Sequence, residues 1–305
     1  MARSFRETVK SVPGAEDDYR RVQAKRERAR GVDVDALNQQ MQLVLLNQYR
    51  QQFRDGAIPY PRIRDAGFRC YSQFEEDGIL LYILASIGMT TRRVVEIGCG
   101  SGSESMSANL ILTHGFDAWL VDGSVANAAA ATRFYAGKRQ HRVTSPVIRQ
   151  AWITRDNVND VLQQAGAAGE VDVLSLDIDG NDWHVWKALE VVRPRVCVVE
   201  THDIIPSDLS LTIPYRDDFD AWSRPEPERE FRGASLLAMT RLAESKGYRL
   251  IGGHRHGFNA FFLREELGQD HFPTVSVESV HDNAWTRYGQ AVRWPKVRGM
   301  GWLEV

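Results

Sequence analysis

Four short apolar runs punctuate the middle of the chain: Val94–Ile97, Ala118–Val121, Val171–Leu176 and Val196–Val199. Each is nearly continuous rather than alternating, as strands covered on both faces are. Between and beyond them, apolar positions recur at helical spacing over Ser105–Thr113, Val125–Tyr135, Asn157–Ala165, Trp183–Leu189 and Ser235–Lys246, with Gly115 and Gly137 closing the first two. That alternation predicts a parallel sheet with helices on both faces. A fifth run, Val143–Ile148, carries Pro146, which lacks a ladder donor and so belongs at a sheet edge. Tyr248–Ile251 and Asn259–Leu263 are separated only by GGHRHGF. So short a connection cannot hold a crossover helix, and it makes these two strands antiparallel neighbours. The expected fold is α/β: a doubly wound seven-stranded sheet, mostly parallel, finished by a reversed hairpin.

The flanks follow other patterns. Residues 1–32 are polar and charged, with RRVQAKRERAR at Arg20–Arg30, which reads as a basic arm or as a solvated helix. Leu37, Met41, Val44, Leu45, Tyr49 and Phe53 then recur at three- and four-residue spacing, from Asp35 as cap to Gly56 as stop. This amphipathic helix must bury its stripe against the main domain or a second copy of the chain. The segment 203–232 has no strong period and holds Pro206, Pro214, Pro225 and Pro227. A long connection of this kind is usually functional. The tail from His281 carries Trp285, Trp294 and Trp302, too aromatic for a free linker, and should pack on the domain or on a second subunit. The expected organisation is a helical extension over 1–60, a main domain over 61–270 with an insertion at 203–232, and a tail over 271–305.

Composition narrows the partners. Forty-three per cent hydrophobic and 26% charged residues are ordinary for a globular chain of 305 residues. Thirty-eight basic against forty acidic residues give no nucleic-acid footprint. The opening MARSFRETVK lacks a hydrophobic signal region, and no apolar run is long enough to span a bilayer. Cys70, Cys99 and Cys197 are too few and scattered for a disulfide framework or zinc site. A cytoplasmic protein with neither nucleic-acid nor membrane partner is expected.

The candidate chemistry begins at VVEIGCGSGSES, Val94–Ser105, where strand, glycine loop and helix follow one another. Such a junction sets backbone amides at the carboxyl edge of the sheet, where open α/β sheets bind ligands. A phosphate-cradling loop would end in Gly-Lys-Ser/Thr, and this one does not. A dinucleotide loop reads Gly-x-Gly-x-x-Gly, whereas Gly98, Gly100 and Gly102 give Gly-x-Gly-x-Gly, with Ser103 in the last place. An adenosine ligand without phosphate fits better. Glu96, two residues before the first glycine, would repel a pyrophosphate and can accept from an ammonium group. Asp122 ends the next strand, WLVD, where an acid accepts both hydroxyls of a ribose. S-adenosylmethionine has the ammonium, a sulfonium and the ribose.

Together these motifs resemble class I S-adenosylmethionine-dependent methyltransferases over roughly residues 70–265, a Rossmann-like domain that includes the reversed final hairpin. SQFEEDGIL (Ser72–Leu80), VDVLSLDIDGNDWHVWKAL (Val171–Leu189) and RPRVCVVE (Arg193–Glu200) look like its FkbM-type branch, which methylates hydroxyl groups of sugars and natural products. Residues 1–60 and 281–305 lie outside the resemblance. It implies that Glu96, Gly98, Gly100 and Gly102 line the methionine and ribose side, that Asp122 holds the ribose beside Gly123 and Ser124, and that Ala151 and Trp152 flank the adenine. Trp152 is read as a base-stacking ring or as a core residue.

Asp177, Asp179 and Asp182 end the fourth strand, and Glu200, Thr201, His202 and Asp203 end the fifth. Adjacent parallel strands bring these ends together, so the carboxylates are placed to orient the cofactor, act as general base or hold a divalent cation. His202 is the preferred base, being a side chain that titrates near neutrality, with Asp177, Asp179 and Glu200 as its catalytic neighbours. Catechol-type and macrolide-sugar methyltransferases bind magnesium at the ends of these two strands. That resemblance implies Mg²⁺ at Asp177 and Glu200, with Thr201 or His202 nearby. Within 203–232, IPYRDDFDAW is a candidate acceptor pocket or lid, led by Tyr215 and Asp218. His254 and His256 in the hairpin connection are weaker substrate candidates. Gln73, Glu75 and Asp77 either close over the cofactor or cap a helix. Trp183 and Trp186 fit a core better than a sugar platform. The expected activity is O-methylation of a small hydroxylated acceptor, a sugar or glycosylated metabolite, with N-methylation or a catalytically silent cofactor-binding subunit as alternatives. A homo-oligomer through the N-terminal helix or the tail is the expected assembly.

Overall fold

A computed structural model describes residues 34–56, 60–138 and 145–305. The basic run Arg20–Arg30 and the first two residues of the expected strand Val143–Ile148 fall outside the described residues. Seven strands form one sheet: β1 Arg93–Ile97, β2 Asp117–Asp122, β3 Val147–Gln150, β4 Gly169–Leu176, β5 Val192–Glu200, β6 Tyr248–Gly253 and β7 Asn259–Arg264. Their order is β3-β2-β1-β4-β5-β7-β6. The first five pair in parallel, while β7 runs antiparallel to both β5 and β6. This is the Rossmann-like doubly wound sheet with a reversed final hairpin that the apolar pattern predicts.

The edge strand β3 begins one residue after Pro146, so the proline stands before the ladder rather than in it. Its missing N–H therefore costs the sheet nothing. The central strands read as continuous apolar runs because both faces are covered; Val171, Val173, Leu174, Leu176, Val196, Cys197, Val198 and Val199 are all buried. Trp183 and Trp186 belong to this core, as the helical spacing predicts. All three cysteines are free, and Cys99 and Cys197 are buried.

The helix α1, Val34–Asp55, spans the predicted residues, but its burial is offset from the predicted stripe. Gln42 and Leu46 are buried, whereas Met41 and Val44 are 64% and 68% exposed. Apolar spacing locates the helix without fixing which of its flanks is covered. Within the main unit, Tyr49 and Phe53 pack on Tyr82 with ring centroids at 4.8 and 5.2 Å. Tyr82 lies on α2, Glu76–Ile87.

The switch in strand order, where β1 is flanked by β2 on one side and β4 on the other, opens a crevice at the carboxyl ends of these strands. Two segments outside the sheet reach this edge. One is 203–232; the other is the tail, whose residues Leu303–Glu304 pair antiparallel with Leu211–Thr212. Among the described residues, no helix is long and apolar enough to cross a membrane.

Candidate functional site

A cavity of about 380 Å³ lies at that crevice. Its floor is the carboxyl end of the sheet: Ile97, Gly98 and Gly100 after β1, Val121, Asp122, Gly123 and Ser124 at the end of β2, and Asp177, Ile178 and Asp179 after β4. Ala151, Trp152 and Ile153, after β3, form one side. Phe219, Asp220, Ala221 and Trp222 of the insertion form the other. Most of the predicted cofactor residues are thus brought together by local backbone geometry.

Gly98 has φ +92°, and a Cβ there would stand 1.6 Å from the carbonyl oxygen of Asp177. Only glycine lets the two strand ends approach so closely. Backbone bonds then lock the edge: Gly98 N–H donates to Val121 at 2.8 Å and Asp177 N–H to Ile97 at 3.0 Å. Asp122 is buried and accepts from Gly100 N–H at 2.8 Å, Ser124 N–H at 2.8 Å and Asn127 Nδ2 at 3.2 Å. It holds the glycine loop and the start of α4, Val125–Gly137, around the cavity while keeping a carboxylate face in its lining.

Two residues of the glycine motif do other work. Glu96 is buried beneath the loop, accepting from Ser105 Oγ and from the amides of Met106 and Ser107 at 3.0 Å each. Its carboxylate fastens the turn before α3, Ala108–His114, and is not part of the cavity lining. Burial raises the Glu96 pKa and the three hydrogen bonds oppose that shift. The ammonium-accepting role read from the sequence does not fit this placement. Gly102 likewise faces Ala131 and Tyr135 of α4 rather than the cavity, so it serves packing.

The acids converge as the strand register requires. Leu176 pairs with Val199, which brings Asp177 beside Glu200. Asp177, Asp179 and Glu200 each offer a carboxylate oxygen, all lying within 4.8 Å of one another. Asp179 adopts a left-handed backbone at φ +55°, a conformation that aspartate tolerates better than most residues. Asp182 braces the turn by accepting from the amides of Ile178 and Gly180 at 2.8 Å each. That resolves the three closely spaced aspartates into two facing the site and one holding its loop.

Burial is the largest cause of the raised pKa values of Asp177 and Glu200; the neighbouring carboxylates add repulsion, while Arg232 opposes it for both and a hydrogen bond from Glu200 opposes it for Asp177. Each keeps part of its surface open, so water moderates the shift. The pair holds a proton well above the ordinary carboxylate range. Three oxygen donors of this kind suit a hard divalent cation. Arg232 also reaches Asp179 at 3.8 Å and offsets part of the charge.

His202 is not in this group. Its ring is buried, with Nε2 at 2.8 Å from the carbonyl of Glu230, and burial together with Arg232 lowers its pKa to about 3. With Nε2 donating to the Glu230 carbonyl and the residue outside both the cavity lining and the acid cluster, His202 is not placed to be the base or the ligand read from its position in the sequence. Asp179 takes its place beside Asp177 and Glu200.

The predicted substrate residues also lie elsewhere. Tyr215 stacks on Arg155, whose guanidinium carbon is 3.9 Å from the ring centroid, and its hydroxyl bonds Asp217. Asp218 is an exposed partner of Arg216 at 3.1 Å. His254 is buried against Phe258 with centroids at 4.3 Å, and His256 packs on Phe74 at 4.7 Å; none of the four lines the cavity. Asp77 accepts from the amides of Cys70, Tyr71 and Ser72 and Glu75 from that of Arg255, so these acids brace loops; neither lines the cavity, and Glu75 makes no side-chain cap on α2.

The insertion side falls within the predicted segment IPYRDDFDAW, but on other residues than the two picked out in it. Trp222 is 56% exposed and donates its indole N–H to Asp179 Oδ2 at 2.8 Å. Phe219 lies against Gly180, where a Cβ would meet its ring at 2.4 Å. The motif IPYRDDFDAW is at the cavity, but through its last four residues rather than through Tyr215 and Asp218.

No family model matches the chain, and no curated protein matches it. Among solved structures, an O-methyltransferase from Bacillus cereus in complex with SAH is 15% identical, over 72% of this chain and 88% of that one, with a TM-score of 0.41. The N-terminal domain of EvdMO1 with SAH bound is 14% identical, over 71% and 94%, with a TM-score of 0.41. Magnesium protoporphyrin IX methyltransferase (ChlM) from Synechocystis PCC 6803 with bound SAM is 12% identical, over 61% and 76%, with a TM-score of 0.37. Likenesses of this size carry no weight for what the chain binds or does. The shared element is a Rossmann-like domain, read here from strand order and register.

Proposed function

We propose that the protein is an S-adenosylmethionine-dependent methyltransferase acting on a hydroxyl group of a small molecule, a sugar or glycosylated metabolite. The observation that carries this reading is the charge of the cavity lining: four aspartates, Asp122, Asp177, Asp179 and Asp220, with no lysine or arginine among them. Such a lining repels the pyrophosphate of a dinucleotide or the phosphates of ATP. It favours a ligand bearing ammonium and sulfonium groups, whose ribose can donate to Asp122 and whose adenine fits between Ala151 and Trp152. With Glu96 turned to the loop, the cationic end of the ligand falls to the Asp177 side.

Transfer is a direct displacement. The acceptor oxygen attacks the methyl carbon in line, the carbon–sulfur bond breaks, and its electron pair stays on sulfur as a neutral thioether. The acceptor proton passes to the Asp177–Asp179–Glu200 group. Alignment of donor and acceptor is the main contribution, with about 7–11 kcal/mol available from positioning alone, because the sulfonium is already activated. A divalent cation such as Mg²⁺ would be held by Asp177, Asp179 and Glu200, and would supply a lower pKa to a hydroxyl placed beside it.

Calorimetry with S-adenosylhomocysteine, NAD and ATP tests the cofactor: binding of the first alone is expected, and binding only of NAD or ATP would overturn the reading. Methyl transfer to a panel of methyl glycosides and amino sugars, with and without EDTA, separates oxygen from nitrogen acceptors and tests the cation. S-adenosylhomocysteine binding without turnover on any member would favour the silent subunit instead. Asp177→Ala is expected to abolish turnover.

A further inference from the structure

The insertion side of the cavity has a hydrophobic core of its own. Ile213, Phe219 and Ala221 form a buried cluster, with Phe231 and Trp302 packed against it. A neighbouring cluster joins Ile204, Ile205 and Val297 with Leu209, Leu211, Phe231, Trp294, Met300 and Trp302. Phe231 and Trp302 therefore belong to both. Their rings meet edge to face with centroids 4.6 Å apart, and Trp302 fixes its own orientation by donating Nε1–H to Val297 at 2.9 Å.

Polar contacts fasten the same two segments. Arg293 forks onto Glu230 at 2.8 and 2.7 Å and approaches Asp203 at 3.9 Å. The ladder of Leu303–Glu304 with Leu211–Thr212 closes the far end, extended by Val305 N–H to Ser210 at 3.0 Å. Phe219 and Ala221, which the tail packs against through Trp302, are themselves cavity-lining residues, and Trp222 follows them directly.

We infer that the C-terminal tail sets the acceptor side of the cavity, with Trp302 as the positioning residue that fixes the wall Phe219–Trp222. The name "acceptor side" rests on the function proposed above; the mechanical coupling does not. Trp302 does not itself line the cavity. It holds the cluster from which the wall is built, by burying its ring against Phe231 and that cluster. The consequence is that acceptor selection is written in residues some eighty positions beyond the wall, while cofactor binding is indifferent to them.

Hydrogen exchange followed by mass spectrometry on the full chain tests this. In Trp302→Ala, exchange over residues 213–222 is expected to accelerate tenfold or more, with β1, β2 and β4 unchanged. Trp302→Phe keeps the ring and is expected to restore exchange to within twofold of the unsubstituted protein. Affinity for S-adenosylhomocysteine should stay within twofold in both. Loosening confined to the tail, with 213–222 unchanged, would overturn the inference, as would an equal loss of protection in β1 and β4. Absence of S-adenosylhomocysteine binding by the unsubstituted protein would instead overturn the proposed function, leaving the exchange result to stand or fall alone. The fork is a second probe, since Arg293→Gln removes it without opening an apolar gap. A smaller acceleration over the same residues is expected, and none would count against the coupling.

Discussion

The two sides of the cavity are built by different means. The side formed by Gly98, Gly100, Asp122 and Asp177 consists of strand ends and the turns that follow them, bonded backbone to backbone across β1, β2 and β4. The side formed by Phe219–Trp222 has no place in the main sheet. It hangs on Asn181 Nδ2 donating to Arg216 at 2.7 Å, Trp152 Nε1 to Asp217 at 2.7 Å, His184 Nε2 to Ile213 at 2.8 Å, and on its small core shared with the tail. The first construction tolerates little change in ligand, because moving it means moving the sheet. The second can vary without disturbing the fold, which is what selecting among acceptors for a common donor requires.

The sharpest way to break this contrast is at the glycines. Gly98→Ala places a Cβ against the Asp177 carbonyl in a left-handed backbone, so strand ends must separate. A loss of about 4 kcal/mol or more in denaturant unfolding is expected, in the exceptional range for one substitution. At Gly100, with φ +55°, nothing stands within 4 Å of a built Cβ. Gly100→Ala should cost only the backbone penalty of about 1–2 kcal/mol. Equal losses at the two positions would mean that conformation, not approach of the strands, is what the motif protects.

The same contrast explains what was legible in the sequence. Apolar runs gave all seven strands and the reversed hairpin, and the residues after strand ends gave the floor of the cavity, because both signals are local. Glu96 misled because its neighbours Ser105, Met106 and Ser107, nine to eleven residues later, claim both its oxygens, and alternation along a strand does not say which face a side chain takes at its last turn. His202 misled because its partners Glu230 and Arg232 come from the far end of the insertion. Trp222 lay within the predicted segment IPYRDDFDAW, but nothing in its spacing set it above Tyr215 and Asp218. Its role depends on a turn at Asp179 and on a tail outside any repeating period. A second signal was the accumulation of tryptophans in residues 281–305, too aromatic for an unattached end.

The acids sharpen the comparison through pH. Asp177 and Glu200 have pKa values raised in the folded state, so the unfolded chain releases its protons first. Their contribution to stability is complete below the ordinary carboxylate range, near 4, and is lost as pH climbs through the raised values. Glu200→Gln removes one of the two competing charges. Its stability relative to the unsubstituted protein is expected to rise with pH, by about 1 kcal/mol between pH 5 and 8 once the water in the cavity is allowed for. Denaturant midpoints across that range measure it. A difference that stays constant with pH would mean that the two carboxylates do not share a proton. Adding Mg²⁺ should reverse the trend in the unsubstituted protein alone, since a cation in place of the proton is favoured by both charges.

The smallest effect is the most discriminating, because it compares two tryptophans that line the cavity in the same way. Trp222 donates to Asp179 at 2.8 Å, and Trp152 to the carbonyl of Asp217 at 2.7 Å, so each phenylalanine variant loses one hydrogen bond. A single bond of this kind is worth about 0.5–1.5 kcal/mol, at the lower end for rings as exposed as these. That is roughly a threefold to tenfold change in affinity, of which the lower value is expected. Trp152 lies against Gly123, just after β2, on the side proposed for the cofactor's adenine. Trp152→Phe should therefore weaken S-adenosylhomocysteine binding about threefold and raise the KM for a methyl glycoside acceptor by less than that, because the lost bond to Asp217 also fastens the insertion. Trp222→Phe should raise that KM about threefold and leave the affinity for S-adenosylhomocysteine within experimental scatter. If both substitutions weaken the same ligand most, the cavity is one continuous site, and the division between a fixed donor half and a variable acceptor half fails at the residues where it is most finely drawn.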